Sequence, residues 1–266
     1  MSAPELSDLV ASNPSWYHTI ELPGGVVTPG WFDLRPIIAK LPWPDVAGKR
    51  CLDVGTYDGC LAFELERRGA AEVVAVDIAS HEDWDWPADA RVQGPARLAE
   101  MAGEKGRGFE IARDALGSKV DRRFVNIYDL TPEELGTFDV VVVGALLLHL
   151  RDPIRAMEAV RSVCGGHLLS WDQVDLTLSA VFRRRPVAQL HGSGEGVQWW
   201  TPNIAGYHRM LFSAGFQIEA KAGPWSLPFG TAHPPTRWRK RDLLLQRVMT
   251  GGTGLTSAAV RATPRF

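Results

Sequence analysis

Cys51-Leu52-Asp53-Val54-Gly55-Thr56-Tyr57-Asp58-Gly59 is the stretch that decides the fold. An apolar run ends in Asp53, glycines follow at Gly55 and Gly59, and a helical pattern begins at once. This reads as a strand, a tight glycine turn and a helix, the arrangement that brings backbone N–H groups close to a nucleotide-like ligand. The spacing departs from the dinucleotide pattern G-x-G-x-x-G, because Tyr57 stands where the middle glycine would be. Eighteen residues past Gly59, the run Val73-Val74-Ala75-Val76 ends in Asp77, at the tip of a second predicted strand. A carboxylate there can accept both hydroxyl hydrogens of a ribose.

Working outward, strand and helix signals alternate, which predicts a mostly parallel sheet covered by helices on both faces. Strands are expected at residues 50–53, 72–76, 123–126, 139–143 and 167–171, and helices at 61–68, 108–116 and 153–163. A Thr201-Pro202 start signal opens a further helix that stops at Gly215. Residues 216–220 and 242–248 read as the last two strands, and 251–266, rich in Gly, Ala and Thr, as a mobile tail. The expected division is an N-terminal cover (1–45), an α/β domain (46–250) with an insertion or lid at 173–200, and that tail.

The 266 residues suffice for one α/β domain with extra segments, and 45% apolar with 23% charged content is ordinary for a globular protein. No apolar run reaches membrane-spanning length, and the first residues lack a secretory leader pattern. Cys51, Cys60 and Cys164 sit in apolar patterns without metal-ligand spacing, so no metal is expected and the thiols read as buried in a reducing compartment, by default the cytoplasm. Charge is uneven: residues 1–150 balance at −10 and 151–266 at +8. The basic residues cluster at Arg183-Arg184-Arg185 and at Arg237, Arg239, Lys240 and Arg241. Such clusters read either as solvated charge or as phosphate-holding patches.

The element order resembles the class I S-adenosylmethionine-dependent methyltransferases: a Rossmann-like α/β fold whose seven-stranded sheet has an antiparallel last strand and carries the cofactor over the carboxyl ends of its first strands. Several blocks narrow the resemblance. Trp16-Tyr17-His18-Thr19-Ile20, Gly25-Val26-Val27-Thr28-Pro29-Gly30, Leu52 to Gly59, Gly108-Phe109-Glu110-Ile111-Ala112-Arg113, Tyr128-Asp129-Leu130, Leu148-His149-Leu150-Arg151-Asp152-Pro153 and Trp199-Trp200-Thr201-Pro202-Asn203 look like the tRNA wobble-uridine (5-hydroxyuridine-pathway) methyltransferase-like family. Together they cover roughly residues 16 to 222.

The resemblance implies roles. Gly55, Tyr57 and Gly59 would border the methionine part of S-adenosylmethionine, and Asp53 would hold its amino group. Asp77 would take the ribose hydroxyls and Ile78 would pack on the adenine. Tyr128 and Asp129 follow the third strand, where an adenine-contacting segment is expected, although Asp129 also reads as a residue near a helix cap. Gly144 leaves room for the sulfonium. His149 is the first general-base candidate, with His18 in the N-terminal cover and Asp172 after strand five as further candidates. Trp16, Trp31, Trp199, Trp200 and Asn203 fall in the two regions expected to form the substrate pocket, where aromatic rings serve either as a lid or as packing. Trp84, Trp86, Trp225 and Trp238 carry no assigned role.

Three functions follow. One is methyl transfer to a small-molecule acceptor, oxygen or nitrogen before carbon, in a biosynthetic setting. The second is tRNA modification, for which the namesake enzymes use a carboxylated cofactor held by a lysine-bearing segment and a tyrosine. Here Val27-Thr28-Pro29-Gly30 has no lysine and Leu148 replaces the tyrosine, which favours ordinary S-adenosylmethionine. The third is a non-methylating S-adenosylmethionine-binding protein.

Overall fold

The computed structural model describes residues 2–192, 197–233 and 240–266, and within 240–250 only some of the side chains. A seven-stranded sheet runs in the order β3-β2-β1-β4-β5-β9-β8. Its parallel half consists of β1 (Arg50–Val54), β2 (Glu72–Asp77), β3 (Asp121–Phe124), β4 (Phe138–Gly144) and β5 (Cys164–Gln173). A two-stranded ribbon of β6 (Ala188–Leu190) and β7 (Trp200–Pro202) stands apart. β8 (Phe216–Leu227) closes the edge, and β9 (Leu255–Pro264) inserts antiparallel between β5 and β8. The sheet is the one expected from the resemblance, antiparallel strand included.

Burial on both faces follows from the strand sequences. In β4, Val140 and Val142 pack into one core layer and Val141 and Val143 into the other; Cys51 and Leu52 of β1 divide in the same way. One layer lies against α3 (Cys60–Arg67), α5 (Arg107–Leu116) and the N-terminal cover, which comprises α1 (Ala3–Ser12) and α2 (Arg35–Ile38). The other lies against α6 (Pro132–Leu135), α7 (Pro153–Val163) and α9 (Ile204–Ser213). α4 (Gly94–Ala102) belongs to the long connection after β2, and α8 (Leu176–Val181) to the insertion after β5.

Two expectations at the C-terminal end are corrected. Residues 242–248 are not a strand but part of α10 (Lys240–Thr250), consistent with the helix-forming leucines there. Residues 251–266 are not a mobile tail: they hold β9, whose Ala258, Ala259, Val260 and Ala262 are buried mid-sheet.

The strand order reverses at β1, whose neighbours β2 and β4 lead the chain to opposite sides. A crevice opens beyond the carboxyl ends of the strands at such a switch point.

Candidate active site

The glycine turn builds the floor of that crevice. Gly55 N and Thr56 N both donate to the Val76 carbonyl, at 2.9 and 3.2 Å, tying the turn to β2. Gly59 caps α3 at φ +89°, and a Cβ there would lie 2.4 Å from Phe63 Cε2. Tyr57 is also left-handed, at φ +50°, which is uncommon for a residue with a side chain. That turn aims its N–H at Asp77 Oδ2, 2.8 Å away.

A cleft of about 1120 Å³, counting its mouth open to solvent, lies above this floor. Asp53, Gly55, Tyr57, Asp77, Ile78 and Gly144 all border it. Asp53 is buried with Oδ2 lacking a hydrogen-bond partner, and burial pushes its carboxyl up to about 7. The far wall is Val125, Asn126, Ile127 and Tyr128. Tyr128 Oη donates to Asp85 Oδ2 at 2.6 Å, and Asp85 also accepts from Arg151 N at 2.8 Å, fastening the loop after β2 to the turn after β4.

Two histidines face the cleft from different elements. His18 comes from the N-terminal cover; its N–H donates to Asp58 Oδ2 at 2.7 Å, and its Nδ1 is paired with Asp58 Oδ1. Asp58 thus clamps the cover onto the glycine turn. His149 follows β4. Its Nδ1 lies 2.7 Å from the Val197 carbonyl, which can only accept, so Nδ1 carries the hydrogen and Nε2 keeps a lone pair. Burial lowers its pKa, which holds the ring neutral.

His149 also borders a second chamber, which shares Tyr17, Trp31 and Ala145 with the first cleft. Its further walls include Phe32, Leu34, Trp171 and Leu227, with Gln173, Gln198, His233 and Ser257 as polar points. Among the described residues no Asp, Glu, Lys or Arg lines this chamber.

Residues 33–220 match the model of the methyltransferase domain family. The chain belongs to that family. Curated relatives of this methyltransferase include the ubiquinone biosynthesis O-methyltransferases of Acinetobacter baylyi, 26% identical over 136 residues and 48% of each chain, and of Marinobacter nauticus, 32% identical over 127 residues, 46% of this chain and 43% of that one. The chain spans about half the length of the curated relatives it matches. Among solved structures, the N-terminal domain of EvdMO1 with SAH bound superposes with a TM-score of 0.57 at 14% identity, covering 99% of this chain and 97% of that one.

By fold the protein is a class I methyltransferase, and S-adenosylmethionine is the methyl donor such a domain uses. The residues present fit that group: a buried carboxylate with an orphaned oxygen at Asp53 for an ammonium, a strand-end carboxylate at Asp77 for a ribose, and apolar walls at Ile78, Val125 and Ile127 for a base.

Several expected site residues lie elsewhere. Gly59 shapes the turn from below and does not border the cleft. Asp129 is exposed, the last residue of a short 3₁₀ turn (Ile127–Asp129) capped by Asn126. Asp172 is buried under the turn after β4: Oδ2 accepts from Leu147 N at 2.8 Å and Oδ1 from Gln173 N at 2.7 Å, a bracing role, although burial pushes its carboxyl up to about 7. Trp16 is core, its Nε1 donating to the Val10 carbonyl at 3.0 Å.

Trp199 and Trp200 tie loops together through Nε1 bonds to the carbonyls of Asp85 and Arg151, at 2.6 and 3.1 Å. Asn203 caps α9, accepting from Gly206 N at 2.7 Å and donating to the Phe182 and Arg185 carbonyls. Of the five substrate candidates only Trp31 borders the cleft or the second chamber. Arg183, Arg184 and Arg185 are exposed beyond α8, whereas Arg237, Trp238, Arg239 and the side chains of Lys240 and Arg241 lie outside the described residues.

Sequence reading missed Lys105, Trp84 and Tyr17, all of which border the cleft. Trp84 stacks on Trp86 at 6.0 Å and leans toward His149 at 5.7 Å. The density of tryptophan and charge after β2 was the available signal; nothing local said which rings turn inward.

Proposed function

We propose that this methyltransferase moves a methyl group from S-adenosylmethionine to a hydroxyl of an uncharged, ring-shaped small molecule. One observation carries the reading: a neutral histidine, His149, stands where the cofactor cleft meets an aromatic chamber lined by no Asp, Glu, Lys or Arg among the described residues. The O-methyltransferase relatives support oxygen as the acceptor atom.

The bound donor supplies a methyl already activated by its sulfonium. The chain's own task is to position the acceptor, exclude water and take up a proton. Asp53 anchors the ammonium and Asp77 the ribose. Gly144 ends β4 without a side chain; a Cβ there would fall 2.3 Å from Trp171 Nε1, so the backbone sits as low as packing allows. Tyr17 and Trp31 border both chambers and form a shared apolar wall. His149, its Nδ1 hydrogen held by Val197, offers Nε2 to the acceptor hydroxyl. His18, held by Asp58, keeps the cover closed.

The tRNA reading rests on the sequence blocks resembling that family. The chamber beside the cleft offers a phosphate backbone no lysine or arginine among the described residues, so a small acceptor is favoured.

The test is incubation with S-adenosylmethionine and a panel of hydroxylated ring compounds, scored by methylated product and S-adenosylhomocysteine. At least one neutral phenol or sugar should be methylated, and turnover should collapse in His149→Ala. Methylation of bulk tRNA with none of the small compounds would sink the proposal.

A further inference from the structure

The carboxylate assigned to the ribose has nearly all its acceptor places taken. Asp77 Oδ1 accepts from Ile78 N at 2.8 Å and faces the Lys105 ammonium at 2.9 Å; Oδ2 accepts from Tyr57 N at 2.8 Å. Each carboxylate oxygen offers about two lone-pair sites, which leaves about one place, on Oδ2. A vicinal diol held by the carboxylate alone needs two.

Lys105 does not leave easily. Its side chain is only 4% exposed, Asp77 is its one ion-pair partner among the described residues, and its ammonium lies 4.8 Å from the centre of the Tyr57 ring. Stripping the partner from a buried charge shifts an equilibrium by about a hundredfold or more. Among the described residues Lys105 is the one lysine or arginine bordering the cleft. An ammonium carries three hydrogens, so those not spent on Asp77 are open to a ligand.

We propose that Lys105 is a cofactor-binding residue that completes the ribose site. One ribose hydroxyl donates to Asp77 Oδ2, and its neighbour accepts from Lys105 Nζ. Tyr57 is the seat of both: its N–H holds the carboxylate and its ring carries the ammonium. The glycine turn therefore has an aromatic residue where a dinucleotide turn has glycine, at the cost of a left-handed backbone. This inference rests on the S-adenosylmethionine reading above.

Calorimetry with S-adenosylhomocysteine and its 2′-deoxy and 3′-deoxy analogues tests it. Lys105→Met should weaken S-adenosylhomocysteine about tenfold, the scale of a hydrogen bond to a charged group. For the analogue lacking the hydroxyl that Lys105 reads, the loss should shrink below about threefold. Tyr57→Leu keeps the backbone bond to Asp77 and should weaken binding in the same hydroxyl-dependent way, which carries the test if Lys105→Met does not fold. Equal or tighter binding in the variants, or a loss equal for all ligands, overturns the proposal while leaving the cofactor reading standing. Failure of the wild-type protein to bind S-adenosylhomocysteine overturns both.

Discussion

The proposed Asp53 anchor should tie cofactor affinity to pH. Burial holds its carboxyl at about 7 in the free protein. A cofactor ammonium beside it favours the ionised form, so binding should release a proton and tighten as pH rises. If only the ionised form binds and the bound carboxyl titrates below the range tested, the free-protein value of about 7 implies that affinity falls about 25-fold from about pH 7.5 to about pH 5.5. The same shift has a consequence without ligand. A carboxyl raised above its unfolded value lends stability that is complete below about pH 4 and is lost as pH rises through about 7. The assay is calorimetric titration with S-adenosylhomocysteine across that span, in two buffers of different ionisation enthalpy. Apparent heats should differ between buffers by a fraction of a proton that grows toward one at low pH. Asp53→Asn should bind more weakly with a flat pH response. A flat response in the wild-type protein, or an equally steep one in Asp53→Asn, refutes the assignment.

His149→Ala should lower kcat about 10²- to 10⁴-fold while leaving S-adenosylhomocysteine affinity within about threefold; parallel losses in both would make His149 a packing residue. Because burial lowers the His149 pKa, wild-type kcat should hold down to about pH 6.5 and fall only below it, and a midpoint above about 7 would be inconsistent with that base. Asp58→Ala leaves the buried His18 N–H and ring without their partner and should cost about 3 kcal/mol, lowering Tm by about 6–12 °C; a change below about 1 kcal/mol would mean the clamp is not structural. Gly59→Ala must adopt φ +89° and drives its Cβ to 2.4 Å from Phe63, so denaturant unfolding should show a loss of about 2–4 kcal/mol.

What sequence reading captured is local. The strand, glycine turn and helix at 50–67, and β2 ending in Asp77, were legible because apolar runs and glycines are short-range signals. α7 was expected with the bounds it has, since Asp152-Pro153 is a strong start signal and its side-chain cap is formed. The end of the chain misled. A three-leucine run at 243–245 imitates a buried strand, whereas Leu255–Pro264 is built mostly from Ala, Ser, Thr and Val and shows no long apolar run. Small residues suit it because neighbouring strands on both sides and packed layers on both faces leave little volume.

By itself, then, the sequence determined the doubly covered, mostly parallel sheet and the glycine turn and strand ends that set Asp53 and Asp77 beside one crevice. These follow from period-two burial and from a turn that only glycine-rich backbone can make. Tertiary structure decided the rest. Asp58 reaches His18 across 40 positions, Val197 fixes the tautomer of His149 across 48, and Lys105 meets Asp77 across the long connection after β2. It also turned Trp16, Asp172 and Asn203 into bracing and Trp84 into lining. Such pairings form when distant segments are packed together and buried polar groups must find partners, so no local spacing announces them.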